Sequence, residues 1–114
     1  AQRLAMMLAN TSLDAIYSTE TIRTQSTAKP TAAAAGMTVQ SYSAQELPTF
    51  AAQLKRKHRG ETVLVVGHSN TTPALASLLD PNEDYPRFSE LNYTNLLVVT
   101  IPPKGKVRVL KLQF

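Results

Sequence analysis

The sequence predicts an α/β domain whose sheet is mostly parallel and finishes in a C-terminal antiparallel strand or hairpin. Three observations carry that expectation. Thr62-Val-Leu-Val-Val-Gly67 is an aliphatic run without alternation, as expected of a strand covered on both faces. Segments of helical period alternate with short apolar runs along most of the chain. Asn95 to Ile101 and Val107 to Leu112 are split by Pro102-Pro-Lys-Gly105, the signature of a hairpin.

The elements follow in the order α-β-α-β-α-β-α-β-β. Leu4, Met7 and Leu8 share one helical face after Ala1, and this helix ends near Asn10. Asp14 to Ser18 is a short strand bounded by polar turn formers. Ser18 or Thr19 can cap a helix carrying Ile22, Arg23, Ser26 and Ala28, with Glu20 in its first turn, and Pro30 should kink or restart it before Gly36. Met37 to Tyr42 is a second strand. Ser43-Ala-Gln-Glu46 matches a capping box for a helix with Leu47, Phe50 and Leu54, which ends in a basic cluster followed by Gly60 as its stop. After the Thr62 to Gly67 strand, Asn70 or Thr71 caps a helix with Pro73 in its first turn and Ala74, Leu75, Leu78 and Leu79 on its buried face. Asp80 to Leu91 is a polar loop.

A length of 114 residues suits one domain, 1–114. Ala1 opens inside a helical pattern without an initiator Met or a cap, so we expect the domain to be incomplete at its N-terminus. There is no cysteine, which removes disulfides, thiolate metal sites and Cys nucleophiles. With only His58 and His68 available, no metal and no cofactor are expected. The net charge of +4 draws on Lys55-Arg-Lys-His-Arg59. That run reads as a solvated helix end favoured by the helix dipole, so nucleic acid is not expected as a partner, and the longest apolar stretch, Leu4 to Ala9, is too short to suggest a membrane.

The most informative stretch is Val65-Val-Gly67-His68-Ser69-Asn-Thr71. A strand end followed by a helix start offers free N–H groups to an anion at the mouth of an open α/β sheet, and it holds an imidazole there. Arg23 also follows a strand and could aim a guanidinium fork at the same mouth.

Together these segments resemble the histidine phosphatase (phosphoglycerate mutase-like) superfamily. Asp14-Ala-Ile-Tyr-Ser18 with Thr19-Glu-Thr-Ile-Arg23-Thr-Gln-Ser-Thr-Ala28 is similar to its strand, turn, phosphate-binding Arg and Thr-Ala helix. Thr62-Val-Leu-Val-Val-Gly-His-Ser69 is similar to its Gly-His-Ser strand end, and the likeness extends over essentially the whole chain. The resemblance implies a three-layer α/β/α fold and a phosphatase or phosphomutase that works through a phosphohistidine. It implies His68 and Arg23 as catalytic and phosphate-binding groups, Ser69 as a phosphate-binding residue through its backbone N–H, and Glu46 as candidate general acid. The substrate would be a phosphorylated small molecule or phosphoprotein.

The family nucleophile lies in an Arg-His-Gly or Arg-His-Ala motif, and no such pair occurs here, since His58 is flanked by Lys57 and Arg59. The resemblance therefore implies a missing N-terminal strand, supplied as a separate chain or by a swapped neighbour. That strand would lie between the Thr62 to Gly67 and Asn95 to Ile101 strands, so a gap is expected there, and the chain is not expected to fold or turn over substrate alone. Two other readings stand beside this one. A degenerate domain could grip a phosphorylated ligand without cleaving it. Gly67-His-Ser69-Asn-Thr71 also resembles a nucleophile elbow with Ser69 as an acylating serine, although Thr71 replaces its last Gly and no histidine follows.

Overall fold

The computed structural model describes residues 13–67, 71–81 and 95–113; the side chains of Ile22, Arg23, Asn95 and 111–113 fall outside the description. Among the described residues the elements are β1 (Ala15–Ser18), α1 (Ile22–Ala35), β2 (Val39–Ser41), α2 (Leu47–Lys57), β3 (Glu61–Gly67), α3 (Thr71–Leu79), β4 (Asn95–Ile101) and β5 (Arg108–Gln113). They form a compact α/β domain with one mixed sheet in the order β2-β1-β3-β4-β5. Strands β2, β1 and β3 run parallel, whereas β4 and β5 are antiparallel to their neighbours. The expected C-terminal hairpin is thus present. The expected helix over residues 1–10 and most of the Asp80 to Leu91 loop lie outside the described residues.

Strand alternation divides the core between the two faces of the sheet. Ile16, Leu64, Val66, Leu96 and Val98 pack with Ala28 and Ala32 of α1. Tyr17, Val63, Val65, Leu97, Val99 and Ile101 pack with Phe50 and Leu54 of α2 and with Leu75 and Leu79 of α3. The aliphatic run of β3 is therefore covered on both sides, as its lack of alternation predicts.

The expected gap is absent. Strands β3 and β4 pair directly, without interruption from Glu61 opposite Ile101 to Gly67 opposite Asn95. Both strands are apolar on both faces, and unpaired ladder groups between them would each cost roughly 1 to 3 kcal/mol. Direct pairing satisfies these groups within the chain itself, which removes the ground for expecting that the chain cannot fold alone.

The helix ends correct several local expectations. Thr21, not Ser18 or Thr19, caps α1, its hydroxyl accepting from the Thr24 N–H at 3.3 Å, and no acidic residue lies in the first turn because Glu20 precedes the cap. The helix runs through Pro30 without restarting. Proline deprives only the Ser26 carbonyl of its helical donor, and Ser26 is exposed to water. Gly36 ends α1 in the left-handed region at φ 69°, as a C-cap requires.

At α2 the capping box does not form. Glu46 is itself the N-cap and makes no side-chain cap bond, while the Ser43 hydroxyl accepts from the Gln45 N–H at 3.2 Å. A tight turn over 43–46 uses the serine locally, and this moves the helix start by several residues. His58, not Gly60, is the C-cap of α2. Gly60 serves the next turn instead, at φ 80° with its N–H donating to the Ile101 carbonyl at 2.6 Å. In α3, Leu75, Ala76 and Leu79 are buried, but Ala74 is exposed and Leu78 is 37% exposed, because the helix leans on the sheet by a narrower face than its composition suggests.

Candidate functional site

The parallel register brings three strand ends to one edge of the sheet. Ser18 lies opposite Val66 on β3 and opposite Ser41 on β2. Past these ends, the Thr19 N–H donates to the Val66 carbonyl at 3.4 Å and the Tyr42 N–H donates to the Ser18 carbonyl at 3.1 Å. Arg23 belongs to the first turn of α1, and position 68 directly follows Gly67, the last residue of β3. The backbone thus delivers both segments to the same edge from adjacent strands, roughly 4.8 Å apart. The Arg23 side chain, His68, Ser69 and Asn70 lie outside the described residues.

Hydroxyls hold the β1–α1 turn in place. Thr24 Oγ1 lies 2.9 Å from Thr19 Oγ1 and 2.7 Å from Thr21 Oγ1, and the carbonyls of Thr19 and Thr21, 3.0 and 3.1 Å away, are both acceptors within reach of its one proton. Gln25 Nε2 also donates to the Thr19 carbonyl, at 2.9 Å, as does the Ser18 hydroxyl. This network sets the direction in which α1 leaves the sheet. It therefore sets where the helix presents its free N–H groups, which favour an anion.

A second fixed point lies across the edge. Tyr42 stacks on Phe50 with ring centroids 4.3 Å apart, and its hydroxyl donates to the Val66 carbonyl at 3.1 Å. That hydroxyl also makes Gly67 obligatory, because a Cβ there would lie 2.6 Å from Tyr42 Oη and 3.0 Å from Thr72 Cγ2. Only glycine lets β3 end against these two side chains just before His68. Sequence reasoning missed Tyr42 as a positioning residue; its one sequence signal is an aromatic at the end of the β2 segment.

Burial pushes the Tyr42 phenol well above its ordinary value of 10.0. Burial, and then the charge of Glu61, also raises Tyr17. Below about pH 10 both phenols keep their protons folded and unfolded, so this contribution to stability is fully present. Above that value the unfolded chain loses protons that the folded chain retains, and stability falls as the pH rises toward the higher folded values. Urea unfolding midpoints are expected to stay level up to about pH 10 and then decline, with a shallower decline in Tyr42→Phe. Equal slopes for the two proteins would remove Tyr42 from this linkage.

Two clefts open at this edge. One, of about 450 Å³, is lined by Thr19, Glu20, Thr21, Ser41, Tyr42 and the 43–45 turn. The other, of about 260 Å³, adjoins it through Ser41, Tyr42 and Ser43 and has Glu46, Thr49 and Gln53 on its wall. Glu46 is thus exposed at the start of α2, past the end of β2, and β2 is separated from β3 by β1. Its carboxyl makes none of the capping bonds expected from the sequence.

His58 plays no part at this edge. It is buried at the far end of β3, with Nε2 2.8 Å from the Tyr17 hydroxyl and Nδ1 2.7 Å from Glu61 Oε1. The rise of β3 puts Glu61, the partner of His58, roughly 20 Å from Gly67 at the other end of the strand. Among the described residues no group of three His, Asp or Glu side chains could hold a metal ion. No helix among them is long and apolar enough to cross a membrane.

Comparison with family models, with curated proteins and with solved structures found no match for this chain.

Proposed function

We propose that this chain is a phosphate-handling domain of the histidine phosphatase type, with the three-layer, phosphoglycerate mutase-like arrangement of that family. It binds a phosphomonoester between Arg23, His68 and the Ser69 N–H. The supporting observation is the parallel pairing of β1 with β3, which brings the start of α1 and the end of β3 to one sheet edge. In the reaction, a histidine from a segment outside these 114 residues attacks phosphorus, a P–N bond forms and the ester P–O bond breaks. The leaving oxygen takes a proton from an acid, for which Glu46 is the candidate, and water then hydrolyses the phosphohistidine. Arg23 and His68 stabilise the charge that builds on the non-bridging oxygens.

A second reading, a module that holds a phosphorylated ligand without cleaving it, draws support from the closed seam. A nucleophile strand in the family position would have to displace the β3–β4 ladder. Either reading requires anion binding by the chain itself. Titration calorimetry with orthovanadate should show saturable binding that Arg23→Ala weakens at least about tenfold. Absence of binding in the unaltered chain would sink both, and stable labelling of Ser69 by a fluorophosphonate would favour the serine hydrolase. Turnover of p-nitrophenyl phosphate by the full-length gene product, set against its absence, separates the enzyme from the binding module.

A further inference from the structure

We propose that the end of the domain opposite the candidate site is a docking surface for the phosphodiester backbone of duplex nucleic acid. The sequence carries two basic runs far apart, Lys55 to Arg59 and Lys104 to Arg108, and each alone reads as solvated charge. The fold joins them. The Gly60 N–H bonds the Ile101 carbonyl, Glu61 pairs with Ile101, and a Cβ on Gly60 would lie 3.7 Å from Pro103. The end of α2 and the β4–β5 turn therefore form one surface.

Arg56, Lys57, Arg59, Lys104, Lys106 and Arg108 are all exposed on these elements. Lys55 is partly buried and donates to the Leu78 carbonyl at 3.3 Å. The described carboxylates of this end are Asp14, Glu61 and Asp80. Asp14 accepts from the Thr62 N–H and Glu61 bonds His58, so both already have partners within the fold. Six exposed cations outnumber these acids, and the surface attracts anions.

The arrangement selects among anions. The cations come from a helix end, a turn, a hairpin tip and an edge strand, and none of them lines either cleft described above. Spread in this way they match a run of phosphates better than one phosphate, and the three arginines add guanidinium forks. Among the described residues the aromatic side chains are Tyr17, Tyr42 and Phe50, and all three are buried. Among the described residues no aromatic is exposed to stack an unpaired base, and the spread of cations fits the phosphates of a duplex backbone.

Fluorescence anisotropy with a labelled mixed-sequence duplex of about twenty base pairs tests this, titrated with the 114-residue chain from about 20 to 200 mM salt. Binding should weaken steeply with salt. The double variant Lys104→Ala, Lys106→Ala should bind at least about tenfold more weakly at low salt and flatten the logarithmic salt slope by about 2, the loss of two phosphate contacts. Its melting midpoint should match the unaltered chain. Lys29→Ala, on exposed α1, should bind as the unaltered chain does. No binding at the lowest salt, an equal loss in Lys29→Ala, or tighter binding to phosphatidylglycerol vesicles than to the duplex would each overturn the proposal.

Discussion

Replacing Arg23 or His68 by alanine is expected to lower phosphomonoester turnover on the order of 10² to 10³-fold in a protein that supplies the nucleophilic histidine, with the melting midpoint nearly unchanged. The size of the effect follows from where charge develops. In the proposed reaction the transferring phosphoryl group would carry its charge on oxygens held by Arg23 and His68, and cations at those positions would act only when that charge is present. The small cost to folding follows from position, since residue 68 comes after the last ladder pair of β3 and residue 23 lies in the first turn of a helix whose cap is Thr21. Arg23→Lys should restore little, because an ammonium lacks the planar fork that grips two oxygens at once. Steady-state rates set beside thermal melts decide the matter. Unchanged rates remove that residue from the mechanism, and a collapsed melt shows that its role is structural.

Leu97→Ala should cost about 2 to 5 kcal/mol of folding stability, against the roughly 5 to 15 kcal/mol that holds a domain together. Leu97 is fully buried, lies opposite Val65 across the β3–β4 seam, and packs in the cluster that α2 and α3 cover. Truncation there opens a cavity where two strands and two helices meet, and close packing leaves little room for collapse. Circular dichroism of the 114-residue chain should show a cooperative melt, shifted well downward in the variant. A chain without a cooperative transition, or a variant within about 1 kcal/mol of the original, would mean that the closed seam is not what holds this fold.

Much of the fold was legible in particular residues. The non-alternating Thr62 to Gly67 run read as a strand covered on both faces, and Pro102 to Gly105 between two apolar runs read as a hairpin tip. Both readings rest on local chemistry, and the tertiary structure agrees with it. The helix ends were less legible because several hydroxyls competed for each cap. Thr21 prevailed over Ser18 and Thr19 once those two were committed to the β1 end, and Ser43 spent its hydroxyl on a turn instead of a capping box.

The candidate site divides in the same way. Residue types and spacing singled out Arg23 and His68, since a cation or imidazole just after a strand is a local pattern, whereas Ser69 and Glu46 entered only through the family resemblance. The neighbourhood of strands was beyond local chemistry. Ladder partners are chosen by which unpaired backbone edges can meet, so only the tertiary structure decided that β3 lies between β1 and β4 with no gap. The same pairing brought the β1 and β3 ends to one edge, spent His58 on Tyr17 and Glu61 at the other, and drew two distant basic runs into one surface there. Sequence determined which segments are helix or strand and which side chains can do chemistry; the requirement that every buried backbone group find a partner determined which of them meet.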